Sequence, residues 1–257
     1  MNSLLASFTL AQRELIRFYR QRSRIVGSLA MPVIVWALLG TGLQAAFPSG
    51  VGKETREFLK YFFPGNLILT IVFTSIFSNI SVIEDRHEGF LQSVLVSPLS
   101  PLSIVMGKVV GGALIALFQG LFFLALAPLA GFHFSISDLL LVTLSISSIS
   151  LAMTALGFLF AWRLDSVQGF HAVMNLVLFP MWLLSGAFFP AESASKFIKP
   201  VMYLNPLTYG MWSLRGAMSG QLQASEILIQ VAVVCCFGLV FLGAAVLLVN
   251  KKRELAA

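Results

Sequence analysis

The first 24 residues carry a helical pattern. Leu4, Leu5, Phe8, Ala11, Leu15 and Tyr19 fall on one face of a 3.6-residue wheel, with Thr9, Arg13, Arg17 and Arg20 opposite. This pattern predicts an amphipathic helix lying in the membrane interface, its arginines reaching toward headgroups or an acidic partner. Six apolar runs follow, each bounded by charges or turn residues and each close to the ~20 residues a bilayer core requires. They predict spans over Ile25–Phe47, Tyr61–Ile83, Val109–Gly131, Leu139–Trp162, Gln168–Phe189 and Ile227–Val249. The expected fold is therefore all-α, with an interfacial helix in residues 1–24 and a six-span domain over residues 25–257. A seventh crossing through Pro200–Gly220 is rejected, because Arg215 interrupts it.

Two connections stand out. Between spans 2 and 3, Glu84–Lys108 holds a compact mix of charged and apolar residues. There a short helix is expected to begin at Glu88, stack Leu91 on Leu95 at i, i+4, and stop before Pro98. By its residues alone this segment is either a docking knob or an ordinary interfacial loop. Between spans 5 and 6, Pro190–Glu226 is amphipathic and punctuated by Pro200, Pro206, Gly210, Gly216 and Gly220. It predicts short helices dipping into the outer leaflet, where Tyr203, Tyr209 and Trp212 suit the interface.

Composition sharpens this picture. Of 257 residues, 58% are hydrophobic and 11% charged, less than half the roughly 25% charged share of a soluble domain. Mean hydropathy is +0.89. That excludes disorder and argues against a soluble enzyme. The net charge of +6 does not make a nucleic-acid surface, because the cations bracket apolar stretches. An even number of spans puts both termini on one side. Of the 17 Lys and Arg, 11 fall on that side and 6 on the other, so the positive-inside rule places both ends in the cytoplasm. Residues Lys53–Lys60 and Lys196–Lys199 are then external.

Candidate chemistry is sparse. Gly50-Val-Gly-Lys53 resembles the tail of a phosphate-binding loop but lacks the first glycine and the hydroxyl after the lysine, which is Glu54. Ser185 and His171 are roughly 21 Å apart along one predicted helix, too far for a nucleophile and its base. The three histidines have no ligand-type partner at i, i+4, so no metal site is expected. Adjacent Cys235 and Cys236 point about 100° apart on a helix, which suits neither a disulfide nor a metal, and they are expected to pack. Gly107-x-x-x-Gly111 predicts a close helix contact. No span carries an ionisable residue near its centre, which disfavours ion-coupled transport. No connection is large enough for a nucleotide domain, so any energy source must be a partner.

Three motifs in order carry a family resemblance. Arg86-x-Glu88-Gly89-x-Leu91-x-x-x-Leu95-x-x-Pro98, followed by Gly107-Lys108, is the first. Pro180-x-x-x-Leu184-Ser-Gly186-x-x-Phe189-Pro190 is the second. Asn205-Pro206-Leu-Thr-Tyr209, then Arg215, is the third. Together they resemble the pattern of type-2 ABC transporter permeases over nearly the whole chain. Phe90 and Gln92 depart from it, standing where the family often has Thr and Glu.

The resemblance implies a transport subunit, not an enzyme, in the plasma or inner membrane. It binds no cofactor itself; ATP and Mg are bound by cytoplasmic ATPase partners. Glu84, Asp85, Arg86, Glu88, Gly89, Leu91, Leu95 and Pro98 would form a coupling segment received by that ATPase, with the N-terminal arm as a connecting helix beside it. Two permease chains, identical or closely related, would enclose the path at a two-fold interface. Phe73, Thr74 and Phe77 in span 2 and Asn175, Phe179 and Trp182 in span 5 are the candidate path lining. Asn205, Pro206, Tyr209 and Arg215 would belong to an outer gate. An aromatic path without buried charge favours export of a hydrophobic, drug-like molecule. Within the class the rival is a lipid-linked oligosaccharide; outside it, a membrane-integral enzyme or assembly factor with no ATPase.

Overall fold

The computed structural model describes residues 3–21, 26, 30, 32–38, 52–187, 194–220 and 222–254. Ten α-helices are labelled here in chain order: α1 (Ser3–Arg20), α2 (Gly52–Phe77), α3 (Ile80–His87), α4 (Phe90–Val96), α5 (Pro101–Leu124), α6 (Ile136–Arg163), α7 (Val167–Trp182), α8 (Lys199–Leu204), α9 (Pro206–Ser219) and α10 (Ala224–Glu254). Among the described residues there is no strand. Five described stretches are long and apolar enough to cross a membrane: Lys60–His87, Pro101–Leu124, Ile136–Arg163, Val167–Ala187 and Ala224–Lys252. Most of the span expected over Ile25–Phe47 lies outside the described residues, as do Gly50-Val51 and Phe189-Pro190. Within that first stretch residues 32–38 are helical and pack on α2. The Asn66 amide donates to the Pro32 carbonyl at 2.9 Å, and the Trp36 and Phe63 rings meet edge-to-face at 5.7 Å.

Local signals explain where span boundaries moved. The third span starts at Pro101, not Val109, because Ser100 caps the Ser103 amide at 3.2 Å and Pro101 sits where no amide is needed. It ends at Leu124, and a 3₁₀ turn over Ala127–Ala130 containing Pro128 occupies the remainder of the expected run. Lys108 therefore lies inside a helix rather than before one. The fourth span opens with a capping box between Ser135 and Asp138. The second span is interrupted at Ser78-Asn79, between α2 and α3. There the Asn79 amide group donates to the Ser75 carbonyl at 3.0 Å and the Thr154 carbonyl of α6 at 3.1 Å, stapling the break to its neighbour.

The second span is the centre of the bundle, with 78% of its apolar window buried, whereas α10 has 17% buried. Leu228, Ile229, Leu239, Val240 and Leu247 of α10 are exposed, a surface suited to lipid. Cys235 and Cys236, expected to pack inside, are exposed on that helix too. Its period spreads apolar residues all round, so the sequence alone did not show which face packs.

The N-terminal arm has two working faces. Leu4, Leu5, Phe8 and Tyr19 of α1 are exposed, while Ala6, Leu10, Ala11 and Glu14 are buried against α5. Gly107 and Gly111 permit the contact: a Cβ at Gly107 would stand 2.5 Å from that of Leu10, and one at Gly111 2.9 Å from that of Glu14. The close helix contact expected of this pair is present, with the arm as its partner. At the same end of the bundle, the Lys252 ammonium lies 5.7 Å over the Trp162 ring, so both described chain ends share one side.

Candidate functional site

Where α1, α3 and α5 meet, seven charged side chains form one cluster around Asp85, which is fully buried. The Arg13 guanidinium makes a two-pronged contact with its carboxylate at 2.7 and 2.8 Å. Arg17 adds a contact at 2.8 Å and reaches Glu84 at 2.9 Å and Glu88 at 3.5 Å. Buried Lys108 closes the cluster from α5, pairing with Asp85 and, at 2.5 Å, with Glu14. The Asp85 hydrogen bonds raise the Arg13 pKa further above its already high ordinary value. The basic stripe of the arm thus finds its acidic partner within the chain, not in headgroups. Glu14 and Lys108 were absent from the expected site. Both had a signal: Glu14 is the lone acid of the arm, and Lys108 sits within the close-contact pair Gly107 and Gly111.

Arg86 points elsewhere. Its guanidinium donates to the Trp162 carbonyl at 2.6 Å, the Ala161 carbonyl at 3.3 Å and the Leu164 carbonyl at 3.1 Å, and pairs with Asp165 at 2.8 Å. It caps the C-terminus of α6, where carbonyls lack helical partners and the dipole favours a cation. His87 adds a contact to the Asp165 carbonyl at 2.7 Å.

From this cluster the chain turns into α4. Gly89 has φ 77, a left-handed conformation that a side chain would resist, and the helix begins after it at Phe90 rather than at Glu88. Phe90 lies under Arg13, with the guanidinium carbon 3.8 Å from the ring centroid. Leu91 and Val94 turn inward and are buried, and Leu95 is half-buried against the core. The outward edge is Gln92, Ser93 and Val96, with Glu88 and Pro98 exposed at its ends. Val96 is 83% exposed. The expected apolar ridge exists, but it anchors the helix instead of facing away from it.

At the opposite end of the bundle, the second and third motifs clasp each other. Pro180 and the widened turn Leu183–Ala187, with Gly186 at φ 92, open the end of α7 and free its carbonyls. Asn205 donates to the Met181 carbonyl at 2.6 Å while its side-chain oxygen caps the Leu207 amide at 3.0 Å. Thr208 donates to the Met202 carbonyl at 2.6 Å and lies 3.3 Å from the Leu184 carbonyl. Arg215 reaches the Gly186 carbonyl at 3.2 Å and lies 4.3 Å over the Tyr61 ring. Tyr209 donates to the Tyr203 carbonyl at 2.9 Å and packs edge-on to Trp212. Helix α9 buries Leu207, Met211, Leu214 and Ala217 within the bundle.

The six candidate path residues divide. Thr74 is buried and hydrogen-bonded to Gln119, and the buried Trp182 indole donates to the Gly65 carbonyl at 2.8 Å. Phe73 and Phe77, with rings 5.4 Å apart, are half-buried; Asn175 and Phe179 are exposed. His171 packs on Phe77 at 4.7 Å, and Ser185 donates to the Trp182 carbonyl at 2.6 Å, so serine and histidine stay apart. On α7, Gln168, His171, Asn175 and Phe179 recur at helical spacing as one exposed, partly polar stripe.

A family model described as ABC-2 type transporter matches residues 6–219. The chain is 26% identical to "Putative transport permease ycf38" of Cyanophora paradoxa, over 81% of this chain and 72% of the relative. It is 28% identical to Nodulation protein J of Rhizobium leguminosarum bv. viciae, covering 83% and 81%. It is 24% identical to the daunorubicin resistance ABC transporter permease protein DrrB1 of Streptomyces coeruleorubidus, covering 84% and 75%.

Proposed function

Because the chain belongs to the ABC-2 type transporter family, the membrane subunits of ABC transporters, we propose that it is the permease half of an exporter for hydrophobic or lipid-linked molecules. Drug-like substrates are favoured, in keeping with a relative named for daunorubicin resistance. Energy comes from separate cytoplasmic ATPase subunits, which bind the ATP and Mg. The proposal includes a sixth span over Ile25–Phe47, cytoplasmic termini and a two-fold pair of permease chains.

The Asp85 cluster carries this reading. Ion pairs tie α1, α3 and α5 into one block, and α4 is fastened to it through Phe90, Leu91 and Val94, leaving the edge of Gln92, Ser93 and Val96 free for an ATPase. A push on that edge moves α3, and Arg86 passes the motion to the end of α6. The exposed polar stripe on α7 supports the pair: Gln168, His171 and Asn175 are poorly suited to hydrocarbon and better suited to a second chain or a path between chains. The Asn205, Thr208 and Arg215 bonds then form a latch at the far end, exchanged when the path opens outward. The test is co-purification of the full chain with its cognate ABC ATPase, followed by ATP turnover in proteoliposomes. Substrate export that requires that ATPase is the expected result; export without it would refute the reading.

A further inference from the structure

On the latch side of the bundle, an open cavity of about 500 Å³ lies between α9 and α10. Trp212, Arg215 and Ser219 form one wall, and Glu226, Ile229 and Gln230 form the other. Arg215 has one nitrogen on the Gly186 carbonyl and its face on Tyr61, while its Nε finds no acceptor. Across the cavity, Gln230 Oε1 is buried without a donor. Among the described residues Arg215 and Glu226 line the same space, yet neither has an ion-pair partner. The Asp85 cluster shows the contrast, with each of its buried charges facing an opposite one.

We propose that this cavity binds the phosphoethanolamine headgroup of a bilayer lipid, the phosphodiester at Arg215 and the ammonium at Glu226 and Gln230. The chemistry selects a zwitterion. A purely anionic headgroup would satisfy Arg215 but set its charge against Glu226, and a lone cation would do the reverse. A quaternary choline has no N–H to give the unpaired Gln230 oxygen or the Glu226 carboxylate. The cavity suits a lipid because its α10 wall continues into exposed Leu228 and Ile229, along which acyl chains can lie. Trp212 in the cavity wall offers an amphipathic ring of the kind favoured where headgroup gives way to chain. Lipid retention at this site can be read without the ATPase and without the exported molecule, although Arg215 also belongs to the latch.

The test uses the full chain purified in detergent and offered equal amounts of phosphatidylethanolamine, phosphatidylcholine and phosphatidylglycerol, with bound lipid read by native mass spectrometry. Phosphatidylethanolamine should be retained about tenfold over phosphatidylcholine, the weight of one charge-assisted hydrogen bond. Glu226→Gln, at an exposed position, should keep the fold and shift the preference to phosphatidylglycerol. Arg215→Gln should lose retention of all three lipids, and Arg215→Lys should restore part of it. Soluble glycerophosphoethanolamine should not displace the lipid; full displacement would assign the site to a free phosphodiester and overturn the lipid claim. Equal retention of the three lipids by the wild type, or unchanged selectivity in Glu226→Gln, would overturn the site itself.

Discussion

The two ends of this bundle solve the same problem differently. Around Asp85, buried charge is met by opposite charge: three cations, Arg13, Arg17 and Lys108, face Glu14, Glu84, Asp85 and Glu88. Around Gly186, polar side chains bind backbone carbonyls freed by a kink, and Arg215 has no carboxylate among the described residues. A buried ion cluster is costly to break, because losing one member strands another in low dielectric. Neutral side-chain-to-carbonyl bonds contribute about 1 kcal/mol each and exchange readily with water. On the mechanism proposed above, one end holds a geometry and the other changes it.

The largest effect should come from breaking the first end. Asp85→Asn leaves Lys108 and Arg13 short of their central carboxylate and should cost about 3–5 kcal/mol, read as a lowered Tm in detergent. Adding Lys108→Met to that variant should recover much of the loss, since a buried charge is then removed with its partner. If Asp85→Asn melts like the wild type, the cluster does not hold the block together. Next in size, Gly107→Leu drives a side chain into Leu10 and should cost about 1–3 kcal/mol by overpacking. Trypsin should then cut the arm at Arg13 or Arg17 faster than in the wild type.

At the latch, Thr208→Val removes the hydrogen bonds to Met202 and Leu184 and should cost about 1 kcal/mol. Its larger consequence should be functional, namely substrate leak from loaded proteoliposomes without ATP; a tight, fully active Thr208→Val would deny the latch its role. The smallest effect on stability should come from comparing the two outer helices. In a Cys-free background, Asn175→Cys on α7 should cross-link between two chains, and a cysteine restored at position 235 on α10 should not. The reverse pattern would place the chain-to-chain contact on the wrong helix.

Helical composition was legible because apolar runs near span length have few other outcomes, and the arm's period was plain in Leu4, Phe8, Arg13 and Arg17. The motif residues were also visible, but their partners were not. Asn205 and Met181 lie 24 positions apart, and Arg13 and Asp85 lie 72 apart; no local period links them. The same gap left headgroups and an acidic partner as equal alternatives for the arm's arginines, since a wheel displays a charged stripe without showing what faces it; the structure selects the acidic partner. Leu91 and Leu95 were correctly paired on one face of α4, yet stacking at i, i+4 does not say whether that face points in or out. Lys108 was misread for a different reason: a charge was treated as the boundary of a span, whereas Ser100 and Pro101 set the boundary and ion pairing let the charge enter.

The central claim is that the outer edge of α4 carries force from a separate ATPase into the Asp85 block. Val96→Asp tests it most directly, because an 83% exposed position should tolerate the carboxylate with stability changed by no more than about 0.5 kcal/mol. The measurement is ATP turnover by the cognate ATPase reconstituted with the full chain, wild type against Val96→Asp, at matched Tm. The expected result is stimulation by the wild type and its loss in the variant. Undiminished stimulation and export by Val96→Asp would contradict the claim.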